Sequence, residues 1–496
     1  MDITDSPTTA ADWTGDVLAV GVFTEDASLL DRPWARALDR ALGGALGRLL
    51  SYDSFGGGRD ELVVGPGAPG RCERLVLFGL GRPREATPHT VRRAGAAVAR
   101  TLTTGPNERV AVTLPSWRAG ELEVAEHLAE GLSLAVHCGR WNVLGDRFRA
   151  DYGSDLPREP KTVELLGSGI TDAVLRASDA FTDAVVRARE YVAAPANIIT
   201  PDRLAREASA LAAHEGFEVE VWDAAEAHAH GLTGFSSAVA GSADPARLVR
   251  IGYRPEAADL PPVAVIGLGL TYDDRGVARS GGAVEGAKKY MAGAGAVLGA
   301  AAALAALGGR RETHLILPAA AKAEGPGALR RGDLVTTASG ATVEVNHEDG
   351  HGRLMLADAL HLAGRLGARS TVSVSALGLP VAAALGPKAA GVWSTDEDLT
   401  AQLTGAGRAA GELLWPLPLV EEYGDELWAP FANSRVAGPR SGDGATAAAF
   451  LHRFAPASWA HVEITEPAWS PRIDGYYNAG ATGFGTGTLA RWLCGR

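Results

Sequence analysis

Short apolar runs alternate with amphipathic stretches over the first part of this 496-residue chain. Stretches such as HTVRRAGAAVARTLTT separate the apolar runs VLAVGVF, ELVVGPG, RLVLFGLG and VAVTLP. Apolar runs bounded by turn residues predict buried strands, and an apolar period of three to four residues predicts helices. The pattern therefore indicates an α/β domain between about Asp16 and Asn142.

A charged segment rich in proline and glycine, residues 146–170, interrupts this pattern and is the candidate domain boundary. A helix is predicted from Asp172 to Val192, and a second one begins at the Thr200-Pro201 pair. The alternation then resumes with VEVWD, RLVRIGYR, PVAVIGLGL, THLILPAA, STVSVSALG and WAHVEI. Nearly all-apolar strands in βαβ order predict a mainly parallel sheet with helices on both faces.

Three acid-bearing segments follow strands of the second domain. They are GLGLTYDDRG, AAKAEGPG and NHEDGHGR, and the last one brings two histidines, two acids and an arginine into residues 347–353. Chemistry in such sheets lies on loops that leave the carboxyl ends of strands. We therefore expect the functional site where these loops meet.

Composition narrows the class of protein. The formal charge of −12 and the sequence pI near 5.5 disfavour nucleic acid as a partner. Cys72, Cys138 and Cys494 show no CxxC spacing, which suits a reducing compartment and argues against a thiolate zinc site. The first residues lack the basic and apolar regions of a secretory signal, so we expect a cytoplasmic protein. The Ala-rich stretch 291–307 is short for a membrane span and predicts a buried core helix.

Several motifs resemble the leucine aminopeptidase (cytosol aminopeptidase) family. They are AVIGLGLTYDDRGV, KKYMAGAGAVLGA, RRGDLVTTASGATVEVNHEDGHGRLMLADAL, WAHVEITEPAW and GATGFGTGTLARWL, and the similarity extends over nearly the whole chain. The resemblance implies an α/β fold with a small N-terminal α/β domain and a larger C-terminal α/β/α domain around a mixed, mainly parallel sheet. With the pattern above, it gives an N-terminal domain over 1–155, a linker with the start of a connecting helix over 156–180, and a catalytic-type domain over 181–496. It also implies a homo-hexamer.

The family is known for two divalent metals that activate water to remove the N-terminal residue of a peptide. Its ligands are a lysine, three aspartates and a glutamate. At the matching positions this chain has Leu268 for the lysine, keeps Asp273, has Tyr290 for the second aspartate, keeps Asp349 and has His351 for the glutamate. The resemblance therefore implies that most of the metal ligands are replaced.

Other functional positions of the family have also changed. The slot of the second, carbonyl-polarising lysine is Ser280, with Arg279 available if the register slips by one, whereas the catalytic arginine is kept as Arg353. Residues 320–324 replace the family's Ala-Glu-Asn-Met-Pro run, and residues 373–379 replace its Asp-Leu-Ala-Thr-Leu-Thr-Gly substrate loop. The residues around the metals and those around the substrate are thus both expected to differ from those of the family.

Two dications held a few ångströms apart need several anionic oxygens, so a paired-metal site is not expected here. One ion of zinc, manganese or iron is an alternative, bound by Asp273, Asp349 and His351 with His347 as a conceivable fourth ligand. The other alternative is a hydrogen-bonded loop. A pair between Asp274 and Arg275 or Arg279 could then partly fill the vacated metal site.

Three functions remain open from the sequence. The first is a repurposed pocket for other chemistry on, or binding of, an amino-acid or peptide-like molecule, with Arg353, Asp349, His351 and Asp273 as the working residues. Arginine would hold an anion, and histidine is suited to proton transfer near neutral pH. The second is a catalytically inactive scaffold, or pseudoenzyme, and the third is an aminopeptidase with a rebuilt single-metal site. No nucleic-acid or membrane partner is expected.

Overall fold

The computed structural model describes residues 1–25, 28–52, 54–102, 107–120, 122–136, 160–242, 244–272, 287–322, 325–347, 350–377, 380–439 and 442–495. Its contacts form two compact units. The N-terminal unit comprises Met1–Thr182 together with Arg472–Asn478, and the C-terminal unit comprises Asp183–Pro471 together with Ala479–Arg496.

The described part of the N-terminal unit contains a six-stranded sheet. Its order is β1 (Asp2–Ser6), β8 (Thr162–Leu166), β5 (Arg109–Thr113), β2 (Gly15–Phe23), β4 (Cys72–Gly81) and β3 (Leu62–Pro66). Neighbouring strands are parallel except β3 and β4, which are antiparallel. The four apolar runs of the sequence are β2 to β5, so the α/β prediction is confirmed for this part of the chain.

Helices and short elements complete the N-terminal unit. The helices are α1 (Pro33–Ala41), α2 (Ala45–Tyr52), α3 (Pro88–Leu102) and α4 (Val124–Val136), and the short strands are β6 (Arg118–Ala119) and β7 (Leu122–Glu123). One-turn 3-10 helices cover Leu29–Asp31 and Pro83–Glu85. Helix α5 covers Asp172–Ala193, and the division between the two units falls within it, after Thr182.

Residues 472–478 belong to the N-terminal unit although they come from near the end of the chain. They lie on α3, where Arg93 Nη1 donates to Asp474 Oδ1 at 2.7 Å. One turn earlier, His89 Nδ1 lies 3.1 Å from the hydroxyl of Tyr476. Two turns later, Arg100 donates to the carbonyl of Gly475. Side chains spaced along one face of α3 therefore hold this segment.

The C-terminal unit is built on a nine-stranded sheet in its described part. Eight strands follow the order β18 (Leu413–Pro416), β17 (Ala389–Ser394), β20 (Ser458–Glu463), β16 (Ser370–Ser375), β11 (Leu260–Gly267), β13 (Arg311–Ala321), β10 (Arg247–Tyr253) and β9 (Glu218–Trp222), and β12 (Gly269–Tyr272) pairs with the end of β13. The pairs β20–β17, β13–β10 and β10–β9 are antiparallel and the other pairs are parallel. The expected mixed, mainly parallel sheet is confirmed.

The remaining elements surround this sheet. The helices are α6 (Pro201–Glu215), α7 (Ala224–Ala229), α8 (Thr233–Ala238), α9 (Ala292–Leu307), α10 (Gly350–Arg365), α11 (Ala382–Leu385), α12 (Glu397–Ala410), α13 (Asp443–His452) and α14 (Thr486–Cys494). The small strands are β14 (Leu334–Thr336), β15 (Thr342–Glu344), β19 (Ser434–Arg435), β21 (Trp469–Ser470) and β22 (Gly480–Ala481). 3-10 helices cover Lys288–Met291 and Glu421–Leu427.

Two of the predicted helices show why these residues form them. Thr200 caps α6 by accepting the N–H of Arg203 at 3.2 Å, and Pro201 occupies its first position, as the Thr-Pro signal predicted. The stretch Lys288–Leu307, which includes α9, is long and apolar enough to cross a membrane. However, 78% of its apolar 18-residue window is buried inside the protein. The predicted core helix is therefore confirmed.

Small residues in α9 allow it to lie against strand backbone. A Cβ atom on Gly293 would lie 2.3 Å from the carbonyl oxygen of Val374, next to the end of β16. The N–H of Ala294 donates to the carbonyl of Leu268 at 3.0 Å. A larger side chain at position 293 would separate the helix from the sheet. The small residues of α9 therefore allow the helix to pack directly beneath the ends of the strands.

Candidate functional site

A pocket of about 490 Å³, counting the space at its open mouth, lies in the C-terminal unit at the carboxyl ends of neighbouring parallel strands. Its wall includes Leu270 of β12, the end of β13 and the residues just after β16. This is the edge of the sheet at which the sequence placed the site. Apolar side chains form most of the described wall, among them Ala238, Leu270, Met355 and Leu377.

Three polar side chains complete the described wall: Tyr290, Lys322 and His351. Tyr290 lies in the 3-10 turn before α9, Lys322 directly follows β13, and His351 lies in the first turn of α10. The described lining residues include no carboxylate. Two of the three, Tyr290 and His351, stand where the resemblance places metal-binding carboxylates.

Leu268 stands where the resemblance places the family's metal-binding lysine, and it is part of the core. Its side chain is 0% exposed and belongs to a buried apolar cluster with Leu354 and Met355 of α10. Its N–H donates to the carbonyl of Val374 at 3.2 Å. A Cβ atom built on Gly352 would lie 2.9 Å from Leu268 Cδ2, so the side chain touches the start of α10.

Further leucines close the same space. The Cβ position of Gly352 lies 3.3 Å from Leu377 Cδ2 and 4.0 Å from Leu270 Cδ1. Together with Leu268, these side chains converge on the first turn of α10 behind His351. Aliphatic groups therefore pack where a metal-binding lysine would need room and a polar environment.

Tyr290 is 3% exposed, and its phenol is a poor substitute for a carboxylate ligand. The lysines before it contact other groups. Lys288 Nζ donates to the carbonyl of Ala193 at 2.9 Å, and Lys289 Nζ lies 3.4 Å from Glu466 Oε1.

Several predicted site residues lie outside the described part of the chain. They are Asp273, Asp274, Arg275, Arg279, Ser280 and Asp349. The single-ion hypothesis and the suggested acid–arginine pair therefore stay predictions. Among the predicted site residues, the structure brings together Tyr290 and His351 at the pocket, with Leu268 directly behind its wall.

Arg353 is 5% exposed, and its guanidinium is held by two defined partners. Nη1 donates to the carbonyl of Val436 at 3.1 Å, and Nη2 donates to Asp443 Oδ1 at 2.7 Å. The pairing ties the first turn of α10 to the first turn of α13. Asp443 was not identified from the sequence, because its partner lies ninety positions away and an acid in the first turn of a helix is common.

Glu463 fixes one wall of the pocket and was also missed from the sequence. It ends β20, is 1% exposed and accepts the N–H of Leu377 at 3.1 Å. The N–H of Thr465, at 3.1 Å, and the hydroxyl of the same residue donate to its other oxygen. Because Leu377 lines the pocket, this buried carboxylate determines where the loop after β16 begins.

Beneath that loop, His461 is a fully buried structural histidine. Its Nδ1 lies 3.0 Å from the hydroxyl of Ser373, which also accepts the indole N–H of Trp459 at 3.1 Å. The imidazole stacks between the rings of Trp393 and Trp459, with centroid distances of 6.3 Å on both sides. These contacts join β16, β17 and β20 into a rigid support for the pocket.

Asp358 supports another wall. It is fully buried in α10 and accepts the N–H groups of Phe235 and Ala338, each at 2.8 Å. Burial raises the pKa of its carboxyl to about 6, and the backbone N–H groups only partly oppose this. The contact to Phe235 anchors α8, whose last residue, Ala238, lines the pocket.

A second group of ligand-type side chains lies in the N-terminal unit. Ligand atoms of Glu126, His127 and Glu130 lie within 4.8 Å of one another. Arg92 already supplies a cation there: its Nε donates to Glu130 Oε2 at 2.5 Å, and its Nη2 lies 3.2 Å from His127 Nδ1. We therefore assign this group to a buried ion pair that joins α3 and α4.

The two units and the pocket define the class: a two-unit α/β protein whose pocket lies at the carboxyl ends of parallel strands in the larger unit. The model of the cytosol aminopeptidase family, catalytic domain, matches residues 186–490, and that of the N-terminal domain matches residues 19–138. The chain belongs to the cytosol aminopeptidase family, which confirms the resemblance.

Full-length relatives agree with this assignment. A probable cytosol aminopeptidase of Cyanothece sp. is 35% identical over 500 residues and covers 100% of both chains. One of Nostoc punctiforme is 36% identical over 504 residues, covering 100% of this chain and 99% of its own.

Among solved structures, a mutant of tomato leucine aminopeptidase is similar, with a TM-score of 0.87 at 29% identity, covering 100% of this chain and 97% of that one. The bottromycin maturation enzyme BotP in complex with Mn has a TM-score of 0.81 at 30% identity, covering 97% of this chain and 99% of that one.

Proposed function

We propose that this chain has lost the paired-metal peptidase chemistry of its family and that its pocket serves an amino-acid or peptide-like molecule in another way. The observation that carries the proposal is Leu268, which is 0% exposed and packed against α10 at the position of the family's metal-binding lysine. The pocket itself is retained at the carboxyl ends of the strands. The expected metal ligands are replaced, whereas the pocket is retained. This combination favours a changed function over a fold that has lost its binding site.

The described residues do not fit a pair of divalent metals. Such a pair requires several anionic, partly bridging oxygens, whereas Leu268 offers no donor and Tyr290 offers a neutral phenol. His351 supplies one nitrogen and cannot bridge two ions through carboxylate oxygens. The structural relative BotP is described in complex with Mn, so the difference lies in the ligand positions of this chain and not in the fold.

The proposed working residues are His351, Arg353, Asp349 and Asp273. His351 lines the pocket and can accept or release a proton near neutral pH. Arg353, through Val436 and Asp443, holds the first turn of α10 and so sets the position of His351. Asp349 and Asp273 are included only because they match metal-ligand positions that the resemblance implies for the family.

Cellular context and assembly belong to the same proposal. Relatives that match over their full length are named cytosol aminopeptidases, which supports a cytoplasmic location. We also propose a homo-hexamer, as the family resemblance implies. The acidic balance supports a small-molecule partner over nucleic acid.

Metal content and peptidase turnover test the proposal together. The protein is purified without a metal-affinity tag, its bound metal is measured by mass spectrometry, and leucine p-nitroanilide is assayed with added Mn²⁺ or Zn²⁺. We expect no stoichiometric metal pair and no robust turnover. Near two equivalents of metal with robust turnover would refute the proposal.

The alternatives predict other results of the same experiment. One equivalent of metal with turnover, lost in His351→Ala, would indicate the rebuilt single-metal site of Asp273, Asp349 and His351. No metal, no turnover and no small-molecule binding would indicate a scaffold subunit. Leu268→Met is the matched control, because it keeps an apolar side chain of similar volume and should change neither metal content nor turnover.

A further inference from the structure

We propose that residues 413–420, an uncharged apolar strip at the edge of the nine-stranded sheet, form a two-fold contact with the same strip of a second copy of this chain. The inference rests on the homo-hexamer proposed above and names one contact surface for it. It does not depend on the chemistry of the pocket.

The apolar strip reads LLWPLPLV and contains no charged side chain. Its first half is β18, the outermost strand of the sheet in the part of the chain that the structure describes. Proteins usually protect such an edge with charged side chains or cover it with another element. Here the exposed side chains are apolar instead: Leu413 is 50% exposed, Trp415 55% and Val420 37%.

Exposed apolar side chains are concentrated in this region of the C-terminal unit. Of the ten large apolar side chains that are exposed among the described residues, six lie between 413 and 431. A single exposed leucine is normal on a protein surface, whereas a larger apolar patch marks a site of interaction. The centre of a protein interface is poor in charge and rich in aromatic residues, and the strip with Trp415 meets both conditions.

The backbone of the apolar strip is fixed before any contact is made. Pro416 and Pro418 restrict it and have no N–H, and the N–H of Leu417 donates to the carbonyl of Val392 at 2.7 Å. Leu417 and Leu419 also pack against a buried apolar cluster. The strip therefore offers packing surface with few hydrogen-bond donors, and little conformational entropy is lost when it associates.

The end of the strip carries negative charge. It is followed by a 3-10 helix with four exposed acids: Glu421, Glu422, Asp425 and Glu426. Arg453 donates to the carbonyl of Gly424 at 2.8 Å. The acids outnumber the bases here even when Arg440, which lies outside the described residues, is counted with Arg453.

The start of the strip differs from its end, and this difference favours a second copy in antiparallel orientation. Arg408 is exposed in the last turn of α12, whereas Glu412 is buried and accepts the N–H of Thr488 at 2.9 Å. A two-fold axis brings the end of one strip to the start of the other. Acids then face an arginine at both ends, whereas parallel strips would place acids against acids.

Trp415→Glu tests the contact, because it places a charge in the middle of the strip. Molar mass is measured by light scattering and sedimentation velocity over a range of protein concentrations. We expect the unchanged protein to form an oligomer with an even number of copies, and the variant to form species with at most half that number. The dissociation constant should rise at least about thirtyfold, as for the loss of a central aromatic anchor.

Leu413→Glu and Leu334→Glu are a matched pair of variants. Leu334 is 54% exposed, against 50% for Leu413, and each residue begins a strand at the edge of a sheet in its described part. We expect Leu413→Glu to lower the molar mass and Leu334→Glu to leave it unchanged. Melting temperatures verify that the variants are folded.

Charge exchange tests the antiparallel orientation. We expect Arg408→Glu alone, and Glu421→Arg with Glu422→Arg, each to weaken association by about twofold to fivefold, as exposed ion pairs do. The triple variant restores opposite charges across the two-fold axis and should recover most of the affinity. If it associates no better than the weaker of its parents, the antiparallel orientation is wrong.

Defined results overturn the inference. It is wrong if the unchanged protein is a monomer at micromolar concentrations, if folded Trp415→Glu and Leu413→Glu keep the full molar mass, or if Leu334→Glu lowers it as much. A hexamer that the strip variants leave intact would overturn this inference alone. Two equivalents of metal with peptidase turnover would instead overturn the proposed loss of peptidase chemistry, whatever the molar masses are.

Discussion

Two regions of the molecule use ligand-type residues differently. One is the pocket of the C-terminal unit, and the other is the group of Glu126, His127 and Glu130 in the N-terminal unit. The group on α4 has a histidine and two acids close together, yet the guanidinium of Arg92 lies among them. The pocket includes positions at which the resemblance places metal ligands, yet its described wall is mainly aliphatic and has no carboxylate.

The difference shows that proximity of ligand atoms is a weak criterion for a metal site. On α4 the charge of Glu130 is already balanced inside the protein by Arg92, so an added dication would have to displace or oppose a buried cation. At the pocket, the described wall is mainly apolar, and Tyr290 and His351 stand where the resemblance places metal-binding carboxylates. Four substitutions test how the two regions differ.

The largest effect is expected for Leu268→Lys. This change introduces the residue that the resemblance implies for the family at a site that is 0% exposed and packed with leucines. Burial of an ammonium shifts its pKa by up to several units, so we expect a loss of about 4 to 7 kcal/mol in the free energy of unfolding. Denaturant titration measures it. Leu268→Met should cost less than about 1.5 kcal/mol. A well-tolerated lysine would mean that the position is still suited to a polar ligand.

Arg92→Met removes the cation from the group on α4. Glu130, whose side chain is 2% exposed, would then be buried without its partner, which costs about 3 to 5 kcal/mol. The double variant Arg92→Met with Glu130→Leu should recover most of that loss. We further expect Zn²⁺ to raise the melting temperature of Arg92→Met and not that of the unchanged protein. Stabilisation of the unchanged protein by Zn²⁺ would contradict the assignment to an ion pair.

Asp358→Asn is expected to change the pH dependence of stability. The folded-state pKa of about 6 lies above the unfolded value of 3.8, so the contribution of Asp358 is fully present below about pH 4 and is lost as the pH rises through 6. The stability of the unchanged protein relative to the variant should therefore fall by about 3 kcal/mol between these pH values. Urea titrations of both proteins across this range measure the difference. A constant difference would show that the carboxyl does not titrate there.

Glu463→Gln is expected to have the smallest effect on stability and to act on the pocket. The amide nitrogen would face the N–H of Leu377 or the donors of Thr465, so one of these groups loses its acceptor at a cost of about 1 to 3 kcal/mol. Affinity for leucine, used as an amino-acid probe of the pocket and measured by calorimetry, should fall as the loop after β16 shifts. Gln402→Glu, in α12, is the control, because it makes the opposite amide-to-carboxylate exchange at a residue that does not line the pocket, and that affinity should be unchanged. Unaltered affinity in a folded Glu463→Gln protein would remove Glu463 from the positioning role.

Much of the fold was predictable because its signals are local. The apolar runs of β2, β4 and β11, the Thr200 cap and the small residues of α9 each depend on neighbours in the sequence. The motifs also placed Tyr290 and His351 at one site, and the structure puts both at the pocket.

The missed residues act through partners that are distant in the sequence. Lys322 was noted only as part of a changed loop, and its place in the wall depends on how β12 and β13 end side by side. Glu463 contacts Leu377 across 86 positions, and Arg353 contacts Asp443 across 90. No periodicity encodes such pairs, so only the folded chain reveals them.

The segment 472–478 has a consequence for how the protein is made. The N-terminal unit includes these residues, and Arg93 and Arg100 of α3 bind them. A ribosome that has produced the first 182 residues has therefore not yet supplied all of this unit. The unit reaches its final set of contacts only after residues 472–478 have been synthesised, so its completion waits for the part of the C-terminal unit that precedes them in the sequence.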